Sequence, residues 1–353
     1  MLLQCKNILN IFVLLVLYTT SSISHASQTN ELVILTWSEY VDPDVIKSFE
    51  KEYNTKVRFV YFESDELRDD ILINSDASGF DIICTNGRII SSYAKRGWIS
   101  KITTQDVPNK KHIDKQWGNA FPMAEEYAIP YFWGTTGIAY RQDLVKTPIT
   151  SWKQLMEPAP ELQGKIIMIE DARELMAVAL KSQRQSINTN DRTTIQNARN
   201  LLQQHSEYVQ DYSYITLTKE SSLVKGNAVA ALAYSGDALT VAEIDKNIVY
   251  VVPGEGTYMW VDYFVVAKNS KNRQSALNFL NYINEPKIAA QQAQYLYYAT
   301  PNMAAKKLLP EEFTNNKNLY PDQKTINSSE FLQTLPPKIQ KLYNRILPQL
   351  TRK

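Results

Sequence analysis

The sequence predicts an α/β protein with two lobes, each a mainly parallel sheet flanked by helices. Three observations support this fold class. Stretches with strand periodicity alternate with stretches of helical periodicity through short links, which is typical of parallel sheets covered by helices. The alternation occurs in two runs, separated near Gly134 and Gly137. The chain has 353 residues, 44% of them hydrophobic, which is enough for two cores.

The first run contains three predicted strands, "ELVILTW" (31–37), "KVRFVYFE" (56–63) and "FDIICT" (80–85). Asp42 should cap a helix with Pro43 in its first turn, and Ser64 should begin a second helix. In such sheets ligands bind at the carboxyl ends of the strands. Residues 37–40 and 84–88 lie at such ends, so we expect both segments to border a binding site.

The second run follows "YAIPYFWGTTGIAYR" (127–141), which we interpret as a strand, a glycine-rich break and another strand. Predicted strands then lie at 164–171, 228–237, 247–253 and 259–268, with helices at 173–182, 192–205 and 273–284. We expect one lobe to comprise 27–135 and 261–306 and the other 136–260 and 307–353, with crossings near 135–139, 257–261 and 300–308.

The amino-terminal segment indicates export. Residues 8–18, "ILNIFVLLVLY", are apolar but too short to span a membrane, and "SISHA" precedes a predicted cleavage site after Ala26. We therefore expect 1–26 to be a signal peptide and the periplasm to be the destination. Cleavage would leave Cys84 as the single cysteine, which excludes an internal disulfide.

Charge and histidine content exclude several classes of function. With a net charge of +1 the chain has no excess of positive charge to attract nucleic acid or an anionic membrane, so we expect neither as a partner. After cleavage only His112 and His205 remain, and their neighbours show no metal-ligand spacing. We therefore expect no metal site, no cofactor and no catalytic triad.

Aromatic rings and carboxylates recur together at predicted strand ends and helix starts. The candidate binding residues are Trp37, Glu39, Tyr40, Asp171, Glu174, Tyr234, Asp237, Trp260, Asp262 and Tyr298. Structural roles alone could explain several: Asp171 and Glu174 fit a capping box, the tryptophans fit core packing, and Asp237 fits a turn. Asp262 is harder to explain, because it interrupts the apolar strand "WVDYFVV", where an unpaired carboxylate is costly.

Taken together, these residues match an organic cation with an alkyl chain. Ammonium groups are attracted to carboxylates and to aromatic faces, and methylenes are buried well against flat rings. The spacing of the carboxylates would then determine which distance between ammonium groups the site accepts. The residues favour a diamine or polyamine, although choline-like or amidine cations satisfy part of the pattern.

The chain resembles the periplasmic spermidine/putrescine-binding proteins of ABC transporters over nearly the whole mature length. The resembling stretches are "LTWSEYVDPDVIKSFEKEY", "VYFESDEL", "YAIPYFWGTTGIAY", "TSWKQLMEP", "IEDAREL", "MWVDYFVVAK", "ATPNMAAKKLL" and "LYPDQKTI". The resemblance implies the two-lobed type II periplasmic binding protein fold, with ligand held in the cleft between lobes. It also implies a polyamine ligand, a monomer and an inner-membrane permease as partner.

The resemblance assigns each candidate residue a position in the family's cleft. Trp37, Glu39 and Tyr40 match an aromatic–acid site, and Asp171 with Glu174 an acidic pair. The other matches are Trp260 to a wall, Asp262 to a central carboxylate, Tyr298 to a cleft tyrosine, Tyr234 to a position usually tryptophan, and Asp237 to an acid of the putrescine-type branch.

Two positions depart from the family pattern. Arg88, in "CTNGRI", stands near an expected tyrosine, where a cation is unfavourable unless it pairs with an acid or points outward. Leu332 stands where the spermidine branch has glutamine, although Gln333 is adjacent. Because of these two changes, the sequence does not determine which polyamine is preferred.

Two alternatives to transport remain. Some members of the family are sensors that report norspermidine or spermidine to a membrane-bound cyclic-di-GMP enzyme, and this role uses the same cleft. Thiaminase-like enzymes with a similar fold use a nucleophilic cysteine, and Cys84 lies at a strand end. No local motif of those enzymes is present, so we expect a binding protein and not an enzyme.

Overall fold

The structure is a computed structural model that describes residues 30–351. Over that range eleven strands form one hydrogen-bonded sheet. The strands are β1 (Asn30–Trp37), β2 (Thr55–Phe62), β3 (Ile82–Asn86), β4 (Ile99–Ser100), β5 (Ala128–Arg141), β6 (Ile166–Met168), β7 (Val209–Tyr212), β8 (Ala230–Tyr234), β9 (Ile248–Val251), β10 (Tyr258–Ala267) and β11 (Glu330–Phe331).

Helices cover the sheet. The α-helices are α1 (Pro43–Tyr53), α2 (Asp65–Ser75), α3 (Ile90–Arg96), α4 (Lys115–Gly118), α5 (Ala124–Tyr127), α6 (Trp152–Met156), α7 (Ala172–Ser182), α8 (Arg192–His205), α9 (Ser235–Ile244), α10 (Arg273–Ile283), α11 (Pro286–Leu296), α12 (Met303–Lys306), α13 (Glu311–Thr314), α14 (Gln323–Ser328), α15 (Pro337–Tyr343) and α16 (Leu347–Leu350). A 3-10 turn, Gly87–Ile89, joins β3 to α3.

The strand order β2-β1-β3-β10-β5-β8-β6-β7 contains two parallel groups of three. β1 pairs in parallel with β2 and β3, and β6 pairs in parallel with β7 and β8. These groups confirm the predicted parallel sheets with helices. Between them β10 runs antiparallel to β3 and β5, and β5 runs antiparallel to β8, so antiparallel pairs join the two groups.

The predicted glycine-rich break at 134–137 is wrong, because β5 is continuous over 14 residues. Its residues up to Thr135 pair with β10, and those from Thr136 to Tyr140 pair with β8. The glycines permit close packing. A Cβ on Gly134 would lie 2.6 Å from the Trp260 ring, and one on Gly137 would lie 2.4 Å from the Val251 carbonyl oxygen.

The two largest hydrophobic cores of the described residues lie on either side of this change of pairing. The first includes Leu32, Ile34 and Phe264 from β1 and β10, and the second includes Ile166 and Leu175 from β6 and α7. All five side chains are completely buried. Each parallel group of strands therefore has a large hydrophobic core of its own.

The carboxyl-terminal segment packs on both cores. Leu319 and Tyr320 belong to the first core, whereas Ile339 and Tyr343 belong to the second. The lobe limits stay a prediction, and this packing leads us to place the last crossing after Tyr320 and not at 300–308.

Local signals in the first run are confirmed. The Asp42 carboxylate accepts a hydrogen bond from the Asp44 amide at 2.9 Å, with Pro43 in the first turn of α1. The Ser64 hydroxyl accepts one from the Leu67 amide at 3.1 Å. The predicted signal peptide lies outside the described residues. Among residues 30–351, no helix has the length and hydrophobicity needed to cross a bilayer.

Candidate functional site

A cavity of about 730 Å³ lies where the carboxyl ends of the two parallel groups face each other. Its wall includes the last residue of each of the strands β1, β2, β3 and β8, namely Trp37, Phe62, Asn86 and Tyr234. The segments that follow β6 and β7 add further side chains. Strand ends therefore shape the site, as expected for open parallel sheets.

All ten residues singled out from the sequence line this cavity. They are Trp37, Glu39, Tyr40, Asp171, Glu174, Tyr234, Asp237, Trp260, Asp262 and Tyr298. Strand geometry explains part of this convergence, because Trp260 and Asp262 are two residues apart on β10 and share a face. The structure brings the candidates together, while their role in ligand binding stays a prediction.

Three carboxylates in the cavity each accept a hydrogen bond from a tyrosine hydroxyl. The pairs are Tyr40 to Asp262 at 2.8 Å, Tyr234 to Glu174 at 2.5 Å, and Tyr298 to Asp237. Each pair joins residues at least 60 positions apart in sequence. The hydroxyls hold the carboxylates in place and supply no positive charge.

The same tyrosines form an aromatic wall with Trp260. The Tyr40 and Tyr298 ring centroids are 6.0 Å apart, and the Trp260 ring meets Tyr298 at 5.1 Å and 90°. The Tyr234 ring lies 5.8 Å from Trp260. These contacts connect the three carboxylates through a continuous apolar surface.

Burial shifts the three carboxyl groups toward the neutral form. It raises the pKa of Asp262 to about 7 and that of Asp237 to about 6. Burial, with repulsion from Asp171, raises the pKa of Glu174 to about 8. Within the described residues none of the three forms a salt bridge, so the cavity holds acids without a partner cation.

The capping explanation accounts for Asp171 but not for Glu174. The Asp171 carboxylate caps α7 by accepting hydrogen bonds from the Arg173 and Glu174 amides at 2.6 and 3.0 Å. The Glu174 carboxylate is directed to Tyr234 and is only 8% exposed. The two acids are therefore neighbours with different roles.

The structure also answers how Arg88 is accommodated. Arg88 lines the cavity and its Nη2 lies 2.9 Å from Asp65 Oδ2. Asp65, which sequence reasoning missed, follows the Ser64 cap near the end of β2. Its place after a parallel strand was the signal that could have revealed it. Leu332 lines the cavity as well, whereas the neighbouring Gln333 is exposed.

Cys84 lacks the environment of a nucleophile. Its side chain is completely buried in the first core. Burial and the nearby Asp262 raise the pKa of the Cys84 thiol well above its usual value, the opposite of thiolate activation. Across residues 30–351, no group of three or more histidine, cysteine or acidic side chains is arranged to hold a metal ion.

Comparisons with known proteins agree with this geometry. The chain is 32% identical to the spermidine/putrescine-binding periplasmic protein of Escherichia coli over 312 residues, 88% of each chain. It is 28% identical to the norspermidine sensor of Vibrio cholerae over 311 residues, covering 87% of this chain and 85% of the relative.

A solved structure shows the same fold. The spermidine/putrescine ABC transporter substrate-binding protein of Streptococcus pneumoniae superposes with a TM-score of 0.79 at 27% identity, covering 91% of this chain and 98% of the other. The two-lobed type II fold is therefore confirmed. The family of bacterial extracellular solute-binding proteins matches residues 44–321, and the chain belongs to that family.

Proposed function

We propose that the protein binds a polyamine of the spermidine, putrescine or norspermidine class in this cavity. The observation that carries the proposal is a set of three carboxylates held by tyrosines in an aromatic cavity, Glu174, Asp237 and Asp262, none of which forms a salt bridge within residues 30–351. A ligand with spaced ammonium groups supplies the missing charges.

The aromatic wall suits the methylenes of such a ligand. Each methylene buried against Trp260 or a tyrosine contributes about 0.8 kcal/mol. Each ammonium over a ring contributes about 0.5–2 kcal/mol. Together with the three carboxylates, these terms select a linear organic cation over an inorganic one, because only the former buries apolar area.

We propose the periplasm as the location and delivery to an ABC transporter as the role. The family is extracellular, and the relatives from Escherichia coli and Streptococcus pneumoniae are named for polyamine binding and transport. The named norspermidine sensor supports a second candidate, a sensor that signals to a membrane-bound cyclic-di-GMP enzyme. Both roles use the same cleft, and neither requires catalysis.

Titration calorimetry of the ligand-free protein tests the binding proposal. Putrescine, spermidine, norspermidine and spermine are compared with butylamine, which has one ammonium on a similar chain. At least one polyamine should bind, and butylamine should bind far more weakly because it neutralises one acidic position only. No binding of any polyamine would refute the proposal.

A further inference from the structure

Arg88 places a positive charge in the wall of a cavity whose other charged residues are acidic. Arg88 lies in the 3-10 turn directly after β3, two residues beyond Asn86, which pairs with Asp262 of β10. Its side chain is 22% exposed and borders the cavity. Within the described part of the chain, Arg88 is the single lysine or arginine in the cavity wall.

The carboxylate beside Arg88 is already neutralised. Asp65 accepts hydrogen bonds from Arg88, from the completely buried Arg68, and from Asn86. Burial alone would raise the pKa of Asp65, but attraction from Arg68 and Arg88 lowers it to about 2. Asp65 therefore remains ionised and paired, so it offers no free position to a ligand ammonium.

The three acids held by tyrosines fall into two groups. Asp237 and Asp262 belong together, because the tyrosines that bind them, Tyr298 and Tyr40, are in ring contact at 6.0 Å. Glu174 stands three positions after Asp171 at the start of α7. These two groups provide two ammonium positions separated by the aromatic wall.

Arg88 is electrostatically coupled to Asp171, which stands three positions before Glu174. Burial would lower the pKa of Arg88, but Asp65 and then Asp171 raise it above its usual range. The guanidinium therefore remains charged near Asp171, the residue that caps α7. An additional positive group of a longer polyamine placed beside Arg88 would meet like charge, and the nearby Asp65 carboxylate is already paired.

We propose that Arg88 is a built-in cation that limits the ligand to two ammonium groups, so that the protein selects diamines over triamines and tetraamines. This inference rests on the proposed function and narrows it. The Arg88–Asp65 ion pair occupies the place where a third ammonium group of the ligand and a free carboxylate would otherwise pair.

Competition calorimetry with wild type, Arg88→Met and Arg88→Ser tests the inference. Methionine removes the charge while keeping most of the length, and serine removes both. Asp65 keeps Arg68 and Asn86 as partners in either variant, and thermal unfolding verifies that each variant is folded. Arg58→Met is the matched control, because Arg58 is an exposed arginine of β2 paired with Glu31 at 3.2 Å.

The ligands are putrescine, spermidine, 1,8-diaminooctane and 4-aminobutyrate. Wild type should bind putrescine at least about tenfold more tightly than spermidine, and Arg88→Met should reduce this ratio by about tenfold, as expected for removing one like charge at close range. Arg58→Met should leave the ratio at its wild-type value. 1,8-Diaminooctane matches spermidine in length without the middle charge, so wild type should discriminate against it less.

Several outcomes would overturn the inference. Tighter binding of spermidine than of putrescine by wild type would do so, as would an unchanged ratio in both Arg88 variants. Equal rejection of 1,8-diaminooctane and spermidine would show that length alone selects. Tighter binding of 4-aminobutyrate than of putrescine would make Arg88 an anion receptor. Absence of binding for every amine would instead refute the proposed function itself.

Discussion

Ligand binding should release protons, because the carboxyl groups that bind the ligand's ammonium groups are partly protonated in the free protein. The pKa values are about 8 for Glu174, about 7 for Asp262 and about 6 for Asp237, each raised first by burial. A bound ammonium favours the ionised acids and lowers these pKa values. Alkyl ammonium groups themselves stay charged, since their pKa is about 10.

The size of the effect follows from these pKa values. At pH 7 the three acids together hold about 1.5 protons, which full ionisation on binding would release. Affinity is greatest above pH 8 and falls as pH drops through the free-state pKa values, because protons then compete with the ligand. From pH 8 to pH 6 the expected loss is about tenfold from Asp262 and about fiftyfold from Glu174.

Calorimetry with the tightest polyamine in buffers of different ionisation enthalpy measures the released protons directly. Glu174→Gln serves as the control, because it should leave about 0.6 protons to be released at pH 7. An affinity that is constant from pH 6 to pH 8, or that rises as pH falls, would refute this reasoning. Zero proton release at pH 7 would do the same.

Two further predictions concern the acids and the wall. Asp262→Asn should weaken polyamine binding by about 1.5–3 kcal/mol, the contribution of one charge-assisted hydrogen bond. Asp237→Asn should cost less, because Asp262 and not Asp237 lies within the central strand β10. Equal losses of affinity in calorimetry would contradict this order. Gly134→Ala should weaken binding, because the new Cβ would lie 2.6 Å from the Trp260 ring and displace it. Gly118→Ala is the control, since its Cβ would meet nothing closer than 3.8 Å, and equal effects of the two substitutions would refute the role of the wall.

Short-range patterns made much of the fold predictable. Asp42 and Ser64 cap helices as expected, and the parallel groups follow from strand–helix alternation. The course of β5 was not predictable in the same way. Gly134 and Gly137 suggested a break, but they allow Trp260 and Val251 to approach a continuous strand. Such close approaches depend on residues more than 100 positions away, which periodicity does not reveal.

The sequence predicted which residues line the site, but not which of them form hydrogen bonds with each other. Position at strand ends and the family resemblance identified ten residues that all line the cavity. The hydrogen bonds from Tyr40 to Asp262 and from Tyr298 to Asp237 connect segments that only tertiary packing brings together. Arg88 appeared unfavourable from sequence because its partner, Asp65, lies 23 positions earlier.

The most direct test of polyamine binding at these carboxylates is a crystal structure of the protein with its tightest-binding polyamine. We expect one ammonium within hydrogen-bonding distance of Asp262 or Asp237, another at Glu174, and the alkyl chain against Trp260. A polyamine bound outside the cavity, or bound in it without contact to any of these three carboxylates, would show that they do not form the binding site.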